Sequence, residues 1–195
     1  MSEDCSCEAT TQHFKGTPPG HGPVDDSETV ALAVFRDTPY NVLTCRLLPA
    51  AFPTNRLFSY DLSLARVSHT DWLTFQMRVV ADADNFVGMS CATGSDIRRI
   101  TYESTSQPAF KGRGVCLADK VVAGDHDGHA ALGWGASDAG LSMKQKQRAR
   151  EAIKQNLADT FGLVVAASSI PWAAASKNDE VGESGDDMAA KPADR

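Results

Sequence analysis

Ser142–Gly162 reads SMKQKQRAREAIKQNLADTFG. Ser142 followed three residues on by Gln145 is a capping box, in which a serine hydroxyl and a glutamine side chain satisfy backbone N–H groups at a helix start. Ala149, Ile153 and Leu157 recur every four residues, with Phe161 next in the row. That spacing puts them on one helix face. The spacing predicts a helix over Met143–Phe161, ended by Gly162 as a left-handed cap with Leu163 packing back. An amphipathic helix of this length needs an apolar surface to cover, and the rest of the chain supplies candidate strands.

Upstream, the strand candidates are short. Thr29–Phe35 (TVALAVF) is apolar and β-branched at several positions. Leu62–Val67 alternates, and Phe86–Ala92 is apolar on both faces, as a strand inside a sheet is. Val115–Val122 and His129–Trp134 follow, and Leu163–Ile170 closes the series before Pro171. Thr74–Val79 also alternates, with Phe75, Met77 and Val79 on one side, although Thr70 or Asp71 is placed to start a helix over 70–82. Ser95 is a candidate cap for a short helix through Ile100. Two prolines hold Leu47–Pro53 extended, with Phe52 as its anchor. Short strands followed by one long late helix predict a single α+β domain, its sheet mixed or mainly antiparallel, with a final strand after the helix.

The chain has 195 residues, enough for one sizeable core. Its net charge of −6 sits at the ends. Residues 1–26 hold five acids and one base, and residues 174–195 hold six acids and three bases. With the Pro/Gly linker GTPPGHGP at Gly16–Pro23, this predicts a mobile acidic tail over 1–26, a domain over 27–173 and a disordered acidic tail over 174–195. The acidity argues against a protein dedicated to nucleic acid. No apolar run nears the roughly 18 residues that cross a bilayer, and Met1–Ser6 lacks the charged-then-apolar pattern of a secretion signal. Five scattered cysteines (Cys5, Cys7, Cys45, Cys91, Cys116) read as reduced thiols, which points to a cytoplasmic protein.

No Walker loop, GxGxxG, GxSxG, HExxH or paired CxxC occurs. The densest polar cluster is Asp125-His126-Asp127-Gly128-His129, which unites acid/base groups and metal-ligand types. Extended residues two apart stand roughly 6.5 Å from each other, so one ion would need a tight turn at Gly128 and a further ligand such as His69. The plainer role is a turn stabilised by Asp125 and Asp127 before a strand opened by His129. Cys5 and Cys7 with His13 and His21 are too irregularly spaced for a structural zinc site. Lys111-Gly112-Arg113-Gly114 has the chemistry of a phosphate-binding loop, against the plainer reading of a solvated loop. Lys146, Arg150 and Lys154 form a basic stripe beside the apolar row of the long helix. Arg66, Ser68, His69 and Asp71 gather at the end of a strand, a frequent place for site residues.

Leu48-Pro49-Ala50-Ala51-Phe52-Pro53, then Leu62-Ser63-Leu64-Ala65-Arg66, then His129-Ala130-Ala131-Leu132-Gly133 resemble small uncharacterised bacterial proteins. Those carry an AF-P … LS-x-x-R block and a later HA-x-x-G segment. The similarity spans roughly residues 27–161. It implies a compact bacterial cytoplasmic domain without a known activity and makes Arg66 and His129 the first positions to test.

The leading expectation is therefore an accessory or protein-interaction domain without catalytic activity, touching another protein through Lys146, Arg150 and Lys154. The competing expectation is a small hydrolase or phosphate-ligand enzyme. In it His129 or His126 is the acid/base, Asp125 or Asp127 orients it, and Arg66, Arg113 or Lys111 holds an anion. Weak nucleic-acid contact through the basic helix is third. No motif names a cofactor or a metal.

Overall fold

The computed structural model of the chain describes residues 20–79, 84–103, 111–120, 128–135 and 141–170. β1 (Thr29–Phe35) is the expected strand, and it pairs along its whole length with β5 (Phe86–Thr93). On its other side lies β4 (Leu62–Arg66), which pairs in turn with β9 (His129–Trp134). β8 (Val115–Asp119) pairs with β9, and the two-residue β10 (Val165–Ala166) pairs with β5. The order is β10-β5-β1-β4-β9-β8, and every pairing is antiparallel. Two small ladders stand apart: β2 (Tyr40–Asn41) with β3 (Arg46–Leu47), and β6 (Thr101–Glu103) with β7 (Lys111–Arg113). The architecture is the expected α+β domain with one long late helix and a final strand.

Period-two alternation gives the sheet two unlike faces. Val30, Leu32, Val34, Leu62, Leu64, Val115, Leu117, Ala130 and Leu132 fill one face, and α4 (Met143–Thr160) packs there through Ala149, Ile153, Leu157 and Ala158. Phe161 joins them against Phe52, with ring centroids 5.6 Å apart. Burying each large side chain of this row contributes about 1.5–3 kcal/mol. The opposite face carries Ala31, Ala33, Ser63, Ala65 and Ala131, with Phe75 and Phe86 near one end.

The capping box of α4 forms as expected. Its end does not. Phe161 is extended (φ −68°, ψ 131°), Gly162 donates its N–H to the Cys91 carbonyl, and Leu163 is exposed. The helix stops because the buried Phe161 is pulled into the core and the next residue bonds to β5, with no left-handed glycine involved. Of the strand expected over Leu163–Ile170, only β10 forms, and a 3-10 turn (Ala167–Ser169) follows it.

Other boundaries shift for local reasons. Pro49 sits in the first turn of a 3-10 helix (Pro49–Ala51), so the segment expected to be extended is coiled, while Phe52 is the buried anchor. It leads into α1 (Thr54–Phe58). The alternation at Thr74–Val79 resolves as α2 (Trp72–Val79). Asp71 caps it by accepting from the N–H groups of Leu73 and Thr74, leaving Met77 exposed and Phe75 buried. Thr93, not Ser95, caps α3 (Gly94–Arg98). The 111–114 segment, expected as a loop, includes strand β7. The expected domain start at Ser27 is late, because Val24 is already in the core. No described helix is long and apolar enough to cross a membrane.

Candidate functional site

Three inward-facing rows end in charge. Glu28 is in phase with Val30, Leu32 and Val34; Arg66 with Leu62 and Leu64; Asp119 with Val115 and Leu117. Antiparallel pairing brings the start of β1 to the end of β4, and the start of β9 lies between the ends of β4 and β8. The three side chains therefore meet in the interior, where Arg66 is 1% exposed.

Arg66 grips Glu28 as a fork, with Nε to Oε1 at 2.7 Å and Nη2 to Oε2 at 2.8 Å. Nη1 donates to Asp119 Oδ1 at 2.9 Å and to the Gly22 carbonyl at 2.7 Å, and Nη2 donates to the Pro23 carbonyl at 3.4 Å. A guanidinium has five N–H donors, and these contacts use all five. Arg66 thus has no donor left for an anion, and the anion-holding role expected of it does not fit its geometry. It is a clasp that fastens the segment before β1 to the sheet. Arg98 adds a second fastening, from Nη1 to Asp26 Oδ1 at 2.6 Å and from Nη2 to the Val24 carbonyl.

Burial pushes the Glu28 carboxyl up, but the Arg66 hydrogen bonds, the Asp25 N–H and the charges of Arg66 and His69 outweigh it, so it lies below its ordinary value. Asp119 Oδ2 is buried without a hydrogen-bond partner. Two carboxylates thus share one guanidinium. His69 lies at the rim, its Nε2 3.7 Å from Glu28 Oε1 and its ring stacked on His21 with centroids 4.3 Å apart. A cavity of 370 Å³ opens beside them, lined by Asp25, Ser27, Ser68 and His69 among others.

His129 lies on the other face. It pairs with Ala65, the neighbour of Arg66, so alternation turns the two side chains to opposite sides of the sheet. The joint role expected for Arg66 and His129 has no common pocket. His129 is buried and lines a larger cavity of 550 Å³ with Ala31, Ala33, Ser63 and Ala65. Asp125, His126 and Asp127 lie outside the described residues, as do Cys5, Cys7 and His13. Lys111 and Arg113 fall on β7. Among the described residues no group of three or more His, Cys, Asp or Glu is placed to hold a metal ion.

The basic stripe of α4 is engaged within the fold. Arg150 lies over the Phe58 ring at 4.8 Å, Lys154 pairs with Glu151 at 3.0 Å, and both, like Lys146, are half-buried beside the apolar row. Cys45 and Cys91 are free thiols, whereas Cys116 is disulfide-bonded, which corrects the reduced state expected of it and weakens the inference of a cytoplasmic location.

The sequence reading missed two features. One is the partnership of Glu28 and Asp119 with Arg66, signalled by charges in phase with buried rows. The other is the tip of the β2–β3 hairpin, where Val42 is 70% and Leu43 96% exposed. The tip sits beside β10, since the Val164 N–H donates to the Cys45 carbonyl at 2.7 Å. Leu163 and Val165 are exposed next to it. No family model, curated protein or solved structure matches the chain.

Proposed function

We propose that the chain is a protein-interaction domain that docks a partner protein across the hairpin tip and the neighbouring β10 edge. The observation that carries this reading is the exposure of Val42 and Leu43 on a two-residue ladder, beside an edge strand whose own residues are exposed. Neither side chain packs the core, so folding does not account for an apolar pair at a solvent-facing turn. A patch of Val42, Leu43, Leu163 and Val165 has the composition of an interface centre, where apolar groups cluster and charge is depleted. The Asn41 side chain accepts from the N–H groups of Leu43 and Thr44 and so presents the tip in one shape. A shape fixed in advance lowers the entropy lost on docking. In the basic stripe of α4, Arg150 and Lys154 are already engaged with Phe58 and Glu151, which favours the apolar tip as the docking surface.

The test is photo-crosslinking in the cells that make the protein, with a benzophenone amino acid at Leu43 and a control at Lys144 on α4. A discrete crosslinked partner at Leu43, lost when Val42→Asp is added, is the expected result. Equal crosslinking from both positions, or none from Leu43, would overturn it. Reversing Lys146, Arg150 and Lys154 to Glu should leave the crosslink in place in molecules that stay folded.

A further inference from the structure

The ladder between β1 and β4 is cut short. Its register contains Val30↔Arg66 and Ala31↔Ala65 and stops there, while β1 continues against β5 and β4 against β9. The Val67 N–H donates to the Thr29 carbonyl, and the Arg66 N–H donates to the Gly128 carbonyl on the other side. Odd-numbered residues of β1 and β4 therefore turn their peptide groups toward each other. Beyond Leu32 and Leu64, the next pair in this register whose peptide groups would face each other is Ala33 with Ser63. They make no ladder pair, and both line the 550 Å³ cavity that opens where the strands diverge. Farther along, the Phe35 peptide group is satisfied by Thr38, through its N–H to Oγ1 at 3.1 Å and its carbonyl to the Thr38 N–H at 3.0 Å. The gap is thus bounded by paired backbone at both ends.

Ala33 is half-buried and Ser63 exposed, so their peptide groups form an open strand edge, and such an edge is a template for pairing with another extended chain. From the Ala33 and Ser63 peptide groups facing this gap we infer that it is a binding site for a short peptide in extended form, whose own N–H and C=O groups complete the interrupted ladder. Three features favour this class of ligand. The floor is built of Ala31, Ala33 and Ala65, which leaves space for a ligand side chain, and Phe35 and Phe75 supply an aromatic wall. The volume lies within the roughly 300–1,000 Å³ usual for small-ligand sites. The charged groups at the cavity, Arg56 and Asp37, are opposite in sign. That balance suits a neutral amide better than a phosphate or a polyanion. Main-chain pairing would supply the affinity and the alanine floor the side-chain choice. This site is independent of the hairpin tip, and loss of either leaves the other in place.

The probe is the blocked tripeptide N-acetyl-Ala-Phe-Ala-amide, titrated into the ¹⁵N-labelled full chain. Its partner is the same peptide N-methylated at the phenylalanine nitrogen, which lacks one donor but keeps the side chains. The expected result is movement of the Ala33 and Ser63 amide signals with the parent peptide, and binding weaker by about tenfold with the methylated one, as fits the loss of one hydrogen bond. Ala33→Leu, which fills the floor, should abolish binding without lowering the unfolding midpoint. Equal binding of the two peptides, or amide signals that stay still in the folded wild type, would overturn the inference without recourse to any variant.

Discussion

Replacing Arg66 by methionine removes the guanidinium and keeps most of the side-chain volume. Glu28 and Asp119 are then left buried with no cation between them, and the carbonyls of Gly22 and Pro23 lose their donor. Breaking a buried ion pair from one side costs about 3–5 kcal/mol, most of it the penalty of the stranded charge. Whole domains are stable by only about 5–15 kcal/mol. In a chain of this size each kcal/mol moves the melting point by about 2–4 °C, so Arg66→Met should melt roughly 6–20 °C lower. Arg66→Lys keeps the charge but offers three donors to five acceptors, and should lose about 1–3 kcal/mol. The discriminating variant is the triple change Glu28→Gln, Arg66→Met, Asp119→Asn, which removes the stranded charges too and should be more stable than Arg66→Met alone. Equilibrium denaturation with urea at pH 7 measures all four proteins. A loss below about 1 kcal/mol for Arg66→Met, the scale of an exposed pair, would refute the clasp. So would a triple variant less stable than the single one.

Glu28 lies below its ordinary carboxyl value of 4.5 in the folded chain. Because the folded value is the lower one, its contribution is complete above the ordinary range and drains away as pH falls through the folded value. The urea midpoint of the wild type should therefore drop as pH falls below the ordinary carboxyl value, and Glu28→Gln should show a shallower drop, read from urea titrations at several pH values. A Cβ added at Gly133 would stand 2.0 Å from Tyr60 Cδ1, and the Tyr60 hydroxyl is tied to the Trp134 carbonyl at 2.9 Å. Gly133→Ala should cost about 1–3 kcal/mol by overpacking, and less in a Tyr60→Ala background, where the ring is gone; thermal melts of the three proteins check this.

Patterns that depend on near neighbours were the legible ones. The start and apolar row of α4 follow from a capping box and four-residue spacing, both complete within a single helix. β1 and β9 appear at the expected residues because their apolar runs are unbroken. The failures sit where distant partners decide. Gly162 carries the residue type of a left-handed cap, yet a bond to Cys91, far away in sequence, holds it otherwise. Phe75, Met77 and Val79 fit a strand as well as a helix, and Asp71 settled the choice through its side-chain cap. The Asp125–His129 cluster looked reactive as a string. Of it, the described His129 is turned away from Arg66 by strict alternation, which a linear reading shows only once strand pairing is known.

The clasp and the gap belong to one arrangement. β10, β5 and β1 form one half of the sheet, and β4, β9 and β8 the other. Between the halves the strand register is two pairs long, and one of those pairs contains Arg66 itself. Glu28 precedes the first strand of one half, while Arg66 and Asp119 belong to the other. A buried ion cluster is a weak way to gain stability when apolar packing could replace it, but its fixed geometry can define register. Here the fork of Arg66 on Glu28 sets the height at which the halves meet, and the strands diverge from that point toward Ala33 and Ser63. A branched apolar side chain at Ala31 or Ala65 would crowd the floor beside the last paired residues, and a longer ladder would remove the cavity. The charges at one end and the small residues at the other thus explain together why the sheet is joined at its base and open above it.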